Sequence, residues 1–194
     1  MGFKVKDHYF NKAKKEQFLA RSVYKLEEID NKFKILKKHD QVLDLGYYPG
    51  SWIQYTHKKV KSVVGVDIKE VNKKLLNLKG VTLLKKDAFE IEDIADLGVE
   101  TLFDVILSDM APDTTGIKSV DQDRSLALVE KVFGVMPTFL KKGGNLVIKV
   151  FDGNDAQMFL KSNKNLFESF NYFRPKSTRS VSKEFFVVGK GYKG

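Results

Sequence analysis

The chain has 194 residues, 42% hydrophobic and 30% charged, the balance of a single soluble domain long enough to bury a substantial core. It contains no cysteine, which excludes disulfides, thiolate nucleophiles and Cys-ligated zinc. Its three histidines, His8, His39 and His57, are too few and too scattered for a multi-histidine metal centre, so no metal is expected. The net charge of +9 is segregated: residues 1–25 hold seven Lys/Arg against two acids, residues 161–194 hold eight against two, and the middle holds 19 against 21. A basic excess confined to the two ends of a near-neutral body points to a polyanionic partner, because such clusters release counterions on meeting phosphates. There is no apolar signal core, and no run approaches the roughly 20 apolar residues of a membrane span. The expectation is a cytoplasmic protein without membrane contact. With no surplus apolar face in the pattern, a monomer is expected.

Residues 1–16 read as a basic, flexible extension of a single domain spanning 1–194. Residues 17–36 place Phe18, Leu19, Val23, Leu26, Ile29, Phe33 and Leu36 close to a helical period. Gln41–Leu45 is a short buried strand, followed by the glycine turn Asp44-Leu45-Gly46-Tyr47-Tyr48-Pro49-Gly50 and a helix over Ser51–Lys58. Strands follow at Val63–Asp67, Val81–Leu84 and Phe103–Leu107. Leu126–Leu140 is helical, stopped by Lys141-Lys142-Gly143-Gly144, with basic charge and then glycine at its end. Asn145–Val150 is a fifth strand, Asp155–Leu160 a helix, and Phe167–Phe173 and Phe185–Val188 are late strands. Strands alternating with helices imply right-handed βαβ crossovers and a mostly parallel α/β sheet covered on both faces. No helix separates the last two strands, so an antiparallel return at the sheet edge is expected.

In such sheets ligands bind beyond the carboxyl ends of the strands. Gly46 and Gly50 let the backbone turn sharply there and approach a ligand closely. The Gly-x-x-Pro-Gly pattern lacks the third glycine of a dinucleotide fingerprint, and Pro49 removes one N–H donor, so a nicotinamide oxidoreductase is disfavoured. Asp67 closes the second strand, where a carboxylate accepts ribose hydroxyls, and Asp87 follows the third, facing an adenine amino group. Any one strand-end Asp is as readily a helix cap. Three acids (Asp44, Asp67 and Asp87) at successive strand ends, together with the glycine turn, form a pattern suited to an adenosine-containing cofactor.

Four further segments fall in a telling order: Arg21-Ser22-Val23-Tyr24-Lys25-Leu26, Leu107-Ser108-Asp109-Met110-Ala111-Pro112, Val147-Ile148-Lys149-Val150-Phe151 and Ser182-Lys183-Glu184. With the glycine turn, they resemble the FtsJ/RrmJ family of S-adenosylmethionine-dependent RNA 2′-O-methyltransferases from about Tyr9 to Gly189. The resemblance implies a Rossmann-like class I methyltransferase fold with seven strands, the last antiparallel. It implies S-adenosylmethionine contacts from Asp44, Gly46, Tyr47, Tyr48, Pro49, Gly50, Trp52, Asp67, Asp87 and Asp109. It also implies a catalytic tetrad of Lys25, Asp109, Lys149 and Glu184. The family usually has small residues where this chain has Tyr47 and Tyr48, which puts either crowding aromatics or a ring wall in the cofactor loop.

Methyl transfer from a sulfonium is an in-line displacement, so the protein must align the acceptor oxygen and accept its proton. Lys149 is the expected base with Asp109 beside it, and Lys25 and Glu184 orient the hydroxyl. Asp109-Met-Ala-Pro only loosely matches the Asp/Asn-Pro-Pro-aromatic motif of amino methyltransferases, so an oxygen acceptor is favoured over a base nitrogen. A 2′-hydroxyl restricts the substrate to RNA. Lys12, Lys14, Lys15 and Arg21 precede Lys25, and Arg174, Lys176 and Arg179 precede Glu184, which ties both basic clusters to the site as phosphate contacts. Tyr9 and Phe10 either stack on a base or pack on the body of the domain. A uridine of large-subunit ribosomal RNA is the expected target. The alternatives are a tRNA 2′-O-methyltransferase of the same family and a non-catalytic RNA-binding ribosome-assembly factor.

Overall fold

A computed structural model describes residues 8–113 and 115–194. Its centre is a seven-stranded sheet in the order β3-β2-β1-β4-β5-β7-β6. The strands are β1 (Gln41–Leu45), β2 (Ser62–Asp67), β3 (Val81–Lys85), β4 (Phe103–Ser108), β5 (Leu140–Phe151), β6 (Phe167–Phe173) and β7 (Glu184–Tyr192). The first five pair in parallel, and β7 is antiparallel to both of its neighbours. The expected antiparallel return is therefore present, but it is inserted between β5 and β6, which leaves β6 at the edge. A register shift opens β4–β5 pairing where Lys141–Gly144 intervenes between Leu140, opposite Phe103, and Asn145, opposite Val105. Gly143 takes φ 79° within that segment.

The strands read as apolar runs because helices cover both faces, so alternate side chains go to opposite cores. On one face α1 (His8–Lys15), α2 (Val23–Phe33) and α3 (Ser51–Thr56) pack on Val42, Val63, Val105, Leu107, Val147 and Phe186. On the other, α4 (Lys118–Phe139) and α5 (Asn154–Asn163) pack on Leu43, Val64, Ile106, Leu146 and Ile148. α4 starts eight residues before the expected Leu126, since its polar first turns carry no apolar period.

Two expectations near the N-terminus are corrected. The helical period assigned to residues 17–36 is broken before Val23: Gln17 sits at φ 62° and the chain turns there, so Phe18 and Leu19 reach the core from a turn. Residues 8–15 of the supposed flexible extension form α1, whose Tyr9 ring lies 5.5 Å from Tyr24 and whose Ala13 is buried; residues 1–7 lie outside the described residues. α2 ends on Lys34 in the left-handed region, its N–H bonded to the Asp30 carbonyl at 2.8 Å.

Candidate active site

The strand order reverses between β1 and β4, and a crevice opens there beyond the carboxyl ends of the strands. A cavity of about 570 Å³ occupies it, within the range of small-molecule sites. Its walls include Gly46 after β1, Asp67 to Lys69 at and after β2, Lys86 to Phe89 after β3, and Asp109 to Asp113 after β4. Arg124, Ala127 and Leu128 of α4 close one side, and Arg124 donates to the Asp113 carbonyl at 3.3 Å. Asp67, Asp87 and Asp109, singled out by the strand-end rule, are among these walls. Arg124 was not singled out, because nothing in an amphipathic helix marks which residue borders a crevice.

Gly46 has φ 74°, and a Cβ there would lie 2.2 Å from Met110 Cγ, so only glycine lets the turn lie flush against the wall. Asp67 accepts the Tyr48 N–H and the Lys69 N–H, each at 2.9 Å, which fixes its carboxylate at the rim with lone pairs to spare for hydroxyl donors. Asp87 caps the 3₁₀ turn at Ala88–Glu90 by accepting the Phe89 N–H at 2.9 Å, while it also lines the cavity. Behind the wall Asp44 is 1% exposed, and neither carboxyl oxygen has a hydrogen-bond partner. Burial, and then the charges of Asp109 and Asp67, push its pKa well above the carboxylate range. Gly46 and the acids Asp67, Asp87 and Asp109 thus border one cleft, with Asp44 buried behind it.

The rest of the cofactor loop divides unexpectedly. Tyr47 turns inward to the α3 side of the core, against Gly65, while Tyr48 is 43% exposed, lines the cavity and lies under Lys69 at 5.0 Å. One ring is thus core and the other wall. Gly50 takes φ 110° against Leu75, and the Pro49 carbonyl accepts from the Asn72 amide at 2.8 Å. Trp52 is the clear departure: it is 2% exposed, 5.9 Å from Phe186, and its indole N–H bonds the Ser22 carbonyl at 2.9 Å. It stands in the core beneath the site and does not line the cavity.

The four tetrad residues converge. Asp109, one residue past β4, meets Lys149 of β5: the ammonium lies 3.0 Å from Oδ1 and donates to the Asp109 carbonyl. The Oδ1 contact is an ion pair without hydrogen-bond alignment, so that oxygen keeps its acceptor capacity. Lys25 of α2 pairs with Glu184 Oε1 at the start of β7, and lies 5.8 Å over the Phe186 ring. Lys149 is in register with Phe186 and Phe151 with Glu184, so Lys149 and Glu184 are diagonal neighbours on one face, about 7–8 Å apart at Cα. All four side chains are largely buried.

The two basic segments meet beside the Lys25–Glu184 pair. Arg21 donates to the Ser177 carbonyl, joining segments 156 residues apart. Its pKa is lowered by burial and by Arg179, against a raising effect from Glu184. Lys14 and Lys15 are exposed on α1; Lys12 lies 4.2 Å over Tyr24 and 3.9 Å from Glu16. The Lys176 and Arg179 side chains are exposed. Arg174 does not read as a free phosphate contact, because its guanidinium donates to the carbonyls of Arg179, Ser182 and Glu184 and so closes the loop between β6 and β7. Of the two aromatics with base stacking and body packing as alternatives, Tyr9 packs on Tyr24 and Phe10 is 60% exposed. Among the described residues no group of His, Asp and Glu is arranged to hold a metal, and no helix is long and apolar enough to cross a membrane.

This sheet, with its reversed seventh strand, glycine turn after β1 and acid at the end of β2, defines a Rossmann-like class I methyltransferase. The family model described as FtsJ-like methyltransferase matches residues 18–192. A Bdellovibrio bacteriovorus protein named Ribosomal RNA large subunit methyltransferase E is 46% identical over 193 residues, covering 97% of this chain and 98% of that one. A protein of the same name from Syntrophobacter fumaroxidans is 44% identical over 193 residues, covering 97% of each chain. A solved Plasmodium falciparum structure, described as a ribosomal RNA methyltransferase, matches with TM-score 0.79 at 28% identity, covering 91% of this chain and 100% of that one. The chain belongs to the FtsJ-like methyltransferase family.

Proposed function

We propose that this chain is an S-adenosylmethionine-dependent RNA 2′-O-ribose methyltransferase that acts on a uridine of large-subunit ribosomal RNA. The observation that carries the reading is the double membership of Asp109, which lines the cavity on one side and holds Lys149 on the other. The donor cavity and the paired lysines thus share one residue. The names of the 46% and 44% identical relatives support the large-subunit RNA substrate.

When bound, S-adenosylmethionine supplies an electrophilic methyl carbon on a sulfonium. Gly46, Tyr48, Asp67, Asp87 and Asp109 would hold the donor, the acids favouring its positive charge and Asp67 keeping lone pairs for hydroxyl donors. Lys149, in its neutral form, accepts the proton of the ribose 2′-hydroxyl as that oxygen becomes the nucleophile. Asp109 fixes the Lys149 amine through its carbonyl and carboxylate. Lys25 and Glu184, paired beside it, orient the ribose on the same face of the sheet. Lys14, Lys15, Arg21, Lys176 and Arg179 hold the flanking phosphates. Burial around the tetrad excludes water from the reacting oxygen.

The test is methyl transfer from radiolabelled donor to intact large ribosomal subunits, free ribosomal RNA and tRNA, with the labelled nucleotide mapped. Label at a uridine 2′-oxygen of large-subunit RNA is expected. Lys149→Ala should lower turnover by roughly 10²–10⁴-fold while RNA still binds. Near-normal turnover in that variant would remove Lys149 as the base. Label on tRNA alone would overturn the substrate, and ribosomal RNA binding without transfer would leave an assembly factor.

A further inference from the structure

Residues 174–183 connect β6 to β7 and end at Glu184. Arg21, two residues before α2, and Lys25 and Glu28 within it hold this segment, and the spacing of three puts Lys25 and Glu28 on one helical face. Arg21 donates to the Ser177 carbonyl, Lys25 pairs with Glu184, and Glu28 accepts two backbone N–H groups: Lys176 on Oε2 at 2.6 Å and Ser177 on Oε1 at 2.9 Å. Ser177 is fully buried, and Arg174 closes the base of the loop on the carbonyls of Arg179, Ser182 and, in β7, Glu184.

Glu28 is out of place by charge. It lies under a segment whose Lys176, Arg179 and Lys183 side chains are exposed, on the face proposed to meet RNA. A carboxylate there opposes a polyanion. Its two oxygens are instead taken by two converging amides, a charge-assisted fork that a neutral side chain of the same shape cannot reproduce.

We propose that Glu28 is a positioning residue whose carboxylate docks the 174–183 segment on α2, setting Glu184 against Lys25 and the loop's cations against the phosphates of the RNA. This rests on the RNA methyltransferase reading above. The site it defines lies beyond the tetrad: a loop that couples RNA engagement to the assembly of the Lys25–Glu184 pair. Glu28 touches no reacting atom and works through the loop.

Glu28→Gln is the decisive variant. It keeps the shape and removes the negative charge, but its single carbonyl oxygen serves one amide while its NH₂ confronts the other. Charge alone predicts tighter RNA binding. Docking predicts the reverse: RNA affinity lower by roughly tenfold, and a salt dependence of log K shallower by about 0.7–0.9 for every phosphate the loop's cations cease to neutralise. It also predicts a fall in kcat at saturating RNA, with donor affinity unchanged by calorimetry. Glu28→Ala should show the same pattern more strongly; should it fail to fold, the isosteric variant decides. RNA binding as tight as wild type or tighter, at unaltered salt slope and kcat, would overturn the proposal. A wild-type protein that binds RNA but transfers no methyl group would end the reading above, while the salt slope of Glu28→Gln still decides the docking role.

Discussion

Asp44 offers a direct test of the electrostatics beneath the cavity. Both of its carboxyl oxygens are buried without a hydrogen-bond partner, and Asp109 and Asp67 add to the burial that holds its pKa well above the usual range. The folded chain therefore keeps this proton at pH values where the unfolded chain, with a pKa near 3.9, releases it. Such a group contributes its full stability below the unfolded pKa and loses it as pH rises toward the folded one. Within that window one proton changes stability by about 1.4 kcal/mol per pH unit, or roughly 3–6 °C in Tm for a chain of this size. Asp44→Asn keeps the shape and abolishes the titration. Paired thermal melts of wild type and Asp44→Asn from about pH 3.5 to 8 should diverge from about pH 4 upward, the wild type losing ground at that slope until its folded pKa is passed. The variant should melt higher at neutral pH. Parallel curves across the whole range would show that Asp44 is ionised in the fold and would refute the reasoning.

Phe186→Ala removes a fully buried ring that packs against Trp52 and under Lys25; it should cost about 3–5 kcal/mol in urea unfolding and loosen the Lys25–Glu184 pair. Gly46→Ala forces a left-handed φ on an L-residue and drives Met110 from the wall; a loss of about 1–2 kcal/mol with weaker donor binding is expected from melts and calorimetry. Trp52→Phe surrenders the bond to the Ser22 carbonyl; it should lower stability by about 1 kcal/mol and register in the melting curve rather than in donor affinity.

Local chemistry made much of this molecule legible in advance. The run Gln41–Leu45 followed by Gly46 could only be a buried strand entering a tight turn, because four apolar or strand-end positions precede a residue free to take φ 74°. Asp67 and Asp109 stood at the ends of apolar runs, so the strand-end rule placed both at the crevice. The Lys25, Asp109, Lys149 and Glu184 segments were recognisable by order and flanking residues, and the chain brings them into two adjoining ion pairs. Tyr47 in the turn and Trp52 in the first turn of α3 were misplaced because only the body packed against them decides which side chains face inward. Arg174 read as a phosphate contact because its charge is visible in sequence, whereas the three carbonyls that claim it come together only when the loop closes.

The sequence by itself determined the strand and helix periods, the glycine turn, the acids at the strand ends and the basic surplus at both termini, since each depends on residues within a few positions of one another. Only the tertiary structure decided that β7 inserts between β5 and β6, that α1 packs on Tyr24, and that Glu28 holds amides 148 and 149 residues away. Those outcomes are set by which surfaces meet once the chain has closed its long loops, and no local periodicity encodes a contact whose partner lies so far along the chain.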